Sequence, residues 1–178
     1  MRIFFLSVFC FTLFSFQQKE SKKKAKQYSV SGIITGTSAY CGGARPPAEL
    51  LAQLAIPKPK PTKKIYIKKG EINSFDSKIF MELITDTAGK FHAKLPAGKY
   101  LIVDEEKKDT AYYNKFLQEH RIETKSFEAV DTVCFKEWFL KPDLTFEVQN
   151  AEVKNISVNY PKQCFNLPCT RFRGPYPP

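Results

Sequence analysis

Apolar and polar residues alternate over short stretches of this chain, most clearly in residues 90–95. There Phe91, Ala93 and Leu95 are interleaved with Lys90, His92 and Lys94, the two-residue period of a strand with one buried face. Asp86 and Gly89 supply a turn before this strand. Leu95-Pro96-Ala97-Gly98 supplies a turn after it, with proline setting φ and glycine permitting positive φ. Residues 99–103 then return as a second strand. The same period predicts strands over 28–35, 63–68, 78–85, 144–148 and 153–160. In the first, Tyr28, Val30, Gly32 and Ile34 share a face opposite Ile33. In the second, Ile65 and Ile67 point inward. In the third, Ile79, Met81 and Leu83 lie opposite Phe80 and Ile84. Leu144, Phe146 and Val148 form the inner face of the sixth.

Helical spacing is sparse. Leu50, Leu51 and Leu54 share a face in 48–55, opened by Pro46 and Pro47. Residues 109–120 read as a short helix with Tyr113, Phe116 and Leu117 on one side. Residues 132–140 fit either helix or strand, and Pro142 ends them. Pro57, Pro59 and Pro61 alternate with lysines and favour an extended polyproline segment. Seven short strands and irregular connections argue for an all-β sandwich with one to three short helices, not a parallel α/β sheet. At 178 residues the chain holds one domain with a proper core. The expected layout is a sandwich over 28–160, an insertion at 41–62 and a proline-rich tail at 161–178.

The stretch TDTAGKFHAKLPAGKYLIV resembles the hallmark of carboxypeptidase regulatory-like domains, which share the transthyretin-like sandwich. The matching positions are Asp86, Gly89, Phe91, Leu95, Pro96, Gly98, Tyr100 and Ile102, and VSGIITG resembles the family's opening strand at Val30 and Gly32. The resemblance covers roughly residues 28–104. It implies the sandwich, and an accessory, adhesion or surface module in place of a catalyst. The 41–62 insertion and the cysteine-bearing tail depart from the compact family pattern. The transthyretin-like group also includes hydrolases of a urate breakdown product. Their tyrosine-arginine-glycine-serine signature has only an echo in Phe172-Arg173-Gly174-Pro175, so that activity is not carried over.

The N-terminus changes the compartment. Arg2 precedes the uncharged run Ile3–Phe16, which has the length of a signal-peptide apolar region and falls short of the ~20 residues that span a bilayer. A signal peptide over 1–16 is expected, with cleavage near Ser15–Gln18. A retained signal anchor and lipidation at Cys10 are the alternatives, the latter opposed by the bulky Phe9. A basic tail over 17–27 follows, carrying Lys19, Lys22, Lys23, Lys24 and Lys26, and is expected to be disordered.

The formal net charge is +10. A second basic group comprises Lys58, Lys60, Lys63, Lys64, Lys68 and Lys69, read as a solvated, charged strand edge. Export and the lack of a base-reading motif argue against nucleic acid as a partner, leaving at most weak attraction to a membrane surface or polysaccharide.

Beyond the leader remain Cys41, Cys134, Cys164 and Cys169, an even number that predicts disulfides in an exported chain. Three pairings are open. If the first and last strands run side by side in parallel, as the resemblance implies, all four sulfurs meet at one pole. One bond then joins Cys41 to the tail and another joins Cys134 to the tail, each adding ~3–4 kcal/mol in the chain-entropy model. The alternative is a thiolate site for zinc or reduced copper, weakened by the spacing Cys164-x4-Cys169.

Catalytic constellations are thin. His92 falls on an outward strand face, and His120 ends a helix, where a cation is favoured. Asp104, Glu105, Glu106 and Asp109 read as an exposed acidic loop, without the ligand alternation of a calcium loop. Asp131, Trp138, Tyr112 and Tyr113 fit either a sugar-stacking surface or core, and core is favoured in a chain with 14% aromatic residues. The expectation is an exported, non-enzymatic, cofactor-free module of the periplasm or cell surface. Its partner would be an envelope protein or polysaccharide, met through an exposed apolar patch beside the 41–62 insertion. A periplasmic metal-binding protein is the alternative.

Overall fold

A computed structural model describes residues 25–165 and 167–175. The expected signal peptide, most of the basic tail and the last residues of the proline-rich tail lie outside that range. Eight strands and three α-helices follow one another along the chain. They are β1 (Gln27–Gly36), α1 (Ala48–Leu54), β2 (Lys58–Pro59), β3 (Lys64–Lys69), β4 (Ile79–Ile84), β5 (Lys90–Pro96) and β6 (Gly98–Val103). A 3-10 turn (Glu105–Lys107), α2 (Thr110–His120), α3 (Thr132–Leu140), β7 (Leu144–Val148) and β8 (Val153–Asn159) complete them.

The strands form two four-stranded sheets. In the first, β1 is central. It pairs antiparallel with β5 along Gln27–Ile33, antiparallel with β2 at Thr35 and Gly36, and parallel with β8. The second runs β4-β3-β6-β7, antiparallel throughout. Both sheets contribute to one apolar core that includes Val30 and Ile34 of β1, Ile65 and Ile67 of β3, Phe91 and Leu95 of β5, and Tyr100 of β6. Strand β2 was not expected: the polyproline run does extend, but Lys58 and Pro59 pair with β1. Proline, which lacks an N–H, is tolerated at such a marginal position.

Turn chemistry explains the β4–β5 connection. The Asp86 carboxylate accepts from the amides of Ala88 (2.9 Å) and Lys90 (2.8 Å). Gly89 turns at φ +72°, and a Cβ there would lie 2.7 Å from the Ile34 carbonyl oxygen. After β5, the Tyr100 hydroxyl donates to the Pro96 carbonyl at 2.8 Å.

Close approach governs Gly32. A Cβ would sit 2.3 Å from the Ile156 carbonyl oxygen and 2.8 Å from the Phe91 ring, beside the register shift where β8 meets β1. Backbone on that side cannot retreat as a flexible side chain could. Gly32→Ala is therefore expected to cost about 3 kcal/mol, read as a lower urea midpoint. An unchanged midpoint would mean that β1 and β8 do not approach this closely.

The second sheet is buried on both faces along β3. Ile65 and Ile67 face the shared core, as expected, but Tyr66 and Lys68 are buried too. Lys68 is only 1% exposed, so its assignment to a solvated strand edge is corrected. Lys68 donates to Asn73 Oδ1 at 2.6 Å, and Asn73 Nδ2 donates to the carbonyls of Lys107 and Phe139, each at 2.9 Å. These bonds tie the end of α3 and the 3-10 turn over the sheet. Burial of Lys68 lowers its pKa, with Asp109 opposing that shift.

Residues 132–140 settle as helix. Asp131 caps them by accepting from the amides of Val133 (2.9 Å) and Cys134 (3.1 Å). Phe135 and Phe139, four residues apart, then bury one face. Asp109 caps α2 in the same way through Ala111 and Tyr112. Phe116 of α2 stacks on Phe135 of α3 with centroids 4.3 Å apart, at the centre of a cluster joined by Val130, Tyr113, Leu117 and Trp138.

Candidate binding cavity and the disulfide-stapled tail

The segment after β6, the start of β7, the end of β8 and the tail converge on one polar hub, Asp143. Its Oδ1 accepts from Lys107 Nζ at 2.8 Å. Its Oδ2 accepts from the Asp104 amide at 2.7 Å and the Tyr160 hydroxyl at 3.0 Å. Lys107 also donates to the Lys141 carbonyl at 3.0 Å and sits 4.7 Å from the centre of the Trp138 ring. Asp104 pairs with Lys63, whose ammonium lies 5.2 Å from the Tyr160 ring centre. Burial is the main reason the Tyr160 hydroxyl titrates far above its ordinary range. The charge of Asp143 adds to that effect.

This hub floors a cavity of about 520 Å³ whose walls include Glu106, Tyr112, Trp138, Leu167, Pro168 and Cys169. Glu106 keeps an exposed surface, and its partial desolvation at the cavity is the largest cause of its raised pKa. Asp104 and Asp143 push it further up, and Lys63 and Lys107 oppose the shift. Tyr112 is pushed up to about 12, first by burial and then by Glu106.

The tail wall is held covalently. Cys134 of α3 bonds Cys169, and Cys41 bonds Cys164. Each of the two early cysteines thus bonds one cysteine of the tail. The Asp131 amide donates to the Cys169 carbonyl at 3.0 Å, and the Glu128 amide to Arg171 at 2.9 Å. In these two bridges Cys41, Cys134, Cys164 and Cys169 are paired with one another. Among the described residues, no three His, Cys, Asp or Glu side chains group to hold one. Two bridges fit an oxidising, exported environment. No helix among the described residues is long and apolar enough to cross a membrane.

The acidic run is not a simple exposed loop, which corrects the expectation for it. Asp104 is ion-paired and caps the 3-10 turn, Asp109 caps α2, and only Glu105 and Glu106 are exposed. Lys63 is not a freely solvated lysine either, because it pairs with Asp104. Trp138 and Tyr112 line the cavity, whereas Tyr113 stacks on Phe135 within the aromatic cluster and Asp131 caps α3. Those four residues therefore do not form one stacking surface. His92 is exposed, as expected. His120 ends α2, where its Nδ1 lies 3.1 Å from the Phe116 carbonyl and its ring stacks on Phe116 at 4.3 Å. Asp143 and Tyr160 carried no signal that singled them out, since neither sits in a motif.

A second concavity of about 580 Å³ lies beside the 41–62 insertion, lined by Tyr40, Pro46, Leu51, Leu54 and Ala55. Leu51 is 48% exposed and the adjacent Ile56 58%. The chain matches no protein-family model and no curated protein.

Proposed function

We propose that this chain is an exported, non-catalytic β-sandwich module of the carboxypeptidase regulatory-like, transthyretin-like kind, serving a binding or accessory role at the cell envelope. Antiparallel and parallel neighbours flanking β1, and the Asp86-to-Tyr100 turn system, support that family reading. The two bridges support export.

The observation that carries the binding role is the apolar concavity beside the insertion, with Leu51 and Ile56 left in solvent. Concave apolar surface of this kind, rimmed by polar residues, marks interaction sites more often than bare structural need. Cys41 closes one end of the insertion onto the tail, so the groove is presented on a tethered segment. An envelope protein or polysaccharide is the partner this reading favours.

Cosedimentation of the purified protein with isolated envelope fragments tests it. Retention of the wild type, reduced about tenfold in Leu51→Glu/Ile56→Glu, is the expected result. Equal retention of both forms, or none of either, would remove the groove from the function. Mass spectrometry of the native chain addresses the metal-binding alternative. Loss of four thiol protons with no bound metal supports the bridged form, and a retained metal on free thiols supports the alternative.

A further inference from the structure

We propose that the cavity above Asp143 binds a small organic cation, its ammonium group held by Glu106 and Tyr112 against the aromatic wall. This site is separate from the groove beside the insertion and does not depend on it.

The argument begins with charge. Three carboxylates line the cavity. Asp143 is neutralised by Lys107, and Asp104 by Lys63. Among the described residues no side-chain hydrogen bond acts on Glu106 or on the Tyr112 hydroxyl, only desolvation and the charges around them. The lining therefore carries one uncompensated negative charge beside one free hydroxyl. A single positive charge is its complement, and an anionic ligand is repelled by the uncompensated Glu106. Glu106 already feels the cost of its position, since partial desolvation and the two neighbouring carboxylates disfavour its charged form. A bound ammonium would relieve the Coulombic part of that cost.

Geometry and wall chemistry then narrow the class. About 520 Å³ lies within the size range of small-molecule pockets. The carboxylates do not group into a metal-ligating set. Tyr112 supplies π surface for an organic body, and Trp138, Leu167 and Pro168 supply further apolar contact. The protein itself places an ammonium, that of Lys107, over the Trp138 ring. A neutral sugar fits less well. The Trp138 ring already stacks on Phe135 at 5.2 Å and carries Lys107, and a neutral ligand leaves Glu106 uncompensated. The wall formed by Leu167, Pro168 and Cys169 is fixed by the Cys134–Cys169 bridge, so the pocket needs the oxidised protein.

Titration of the oxidised protein, followed by amide NMR, tests the proposal. The probes are tyramine, tyrosol (the same body with a hydroxyl in place of the ammonium), glucose and calcium chloride. Tyramine is expected to shift amides around Glu106, Tyr112, Trp138 and Tyr160 at millimolar concentration, with tyrosol at least tenfold weaker. Glu106→Gln is expected to weaken tyramine about tenfold without lowering the melting temperature. Binding should also fall as the solution is acidified through the raised titration of Glu106, whose charged neighbours are Asp104, Asp143, Lys63 and Lys107. Equal binding of tyramine and tyrosol, shifts with glucose or calcium alone, no shift with tyramine, or full tyramine affinity in Glu106→Gln would each overturn it.

Discussion

Replacing Asp143 with alanine is expected to lower the free energy of unfolding by about 3–5 kcal/mol. The expectation rests on what the carboxylate leaves behind. Its side chain is 13% exposed and that of Lys107 only 9%. Removing it strands an ammonium whose remaining partners are one carbonyl, that of Lys141, and the face of Trp138. It also strands the Asp104 amide and the Tyr160 hydroxyl. Cutting one partner from a desolvated pair leaves an uncompensated charge, which costs far more than the pair itself contributes. Tyr160→Phe removes one donor and no charge, so about 1.5–3 kcal/mol is expected there. Urea denaturation of both variants provides the comparison. Should Asp143→Ala unfold at the wild-type midpoint, the hub is hydrated and the buried network is absent.

Removing the bridges should have effects of similar size through the unfolded chain. The Cys41–Cys164 bond spans a sequence separation of 123 and the Cys134–Cys169 bond one of 35. In the chain-entropy model these closures amount to about 5 and about 4 kcal/mol. Cys41→Ser/Cys164→Ser is thus expected to lose slightly more stability than Cys134→Ser/Cys169→Ser. The two variants should differ in kind as well. Losing the shorter bridge frees the wall beside Trp138, whereas losing the longer one frees the insertion. Denaturation midpoints measured with and without reductant give the magnitudes. If either pair of substitutions leaves the midpoint unmoved by reductant-sensitive comparison with wild type, that bond does not form in solution.

Which features could be read from the chain follows from the range of their contacts. The β5–β6 region was legible because its determinants are local. Alternation in Phe91, Ala93 and Leu95, an Asx-type turn at Asp86 and a positive φ at Gly89 all act within a few residues. The joining of Cys41 and Cys134 to tail cysteines was legible only through a resemblance that placed the first and last strands together. The helix at 132–140 was ambiguous because three aromatics in nine residues suit either period. The Asp131 cap decided it.

The cavity escaped sequence reading for the opposite reason. Asp104, Tyr112, Trp138, Asp143, Tyr160 and Leu167 come from six separate segments, and no spacing along the chain announces their meeting. Lys68 escaped because a lysine among lysines reads as solvated. Only the layer tied down by Asn73 makes it a buried group.

Strand β1 leads from residue 25 towards Cys41, and the bond from Cys41 to Cys164 leads directly into the tail. A pulling force applied between residues 25 and 175 therefore bypasses both sheets apart from β1. The load falls on one strand held between β5 and β8, and then on a sulfur–sulfur bond. Under tension such a molecule can surrender β1 and the tail contacts at Arg171–Arg173 before the bond itself bears the load. The segment from 42 to 163 stays off the line of force, and its extension stays short until the bond is reduced.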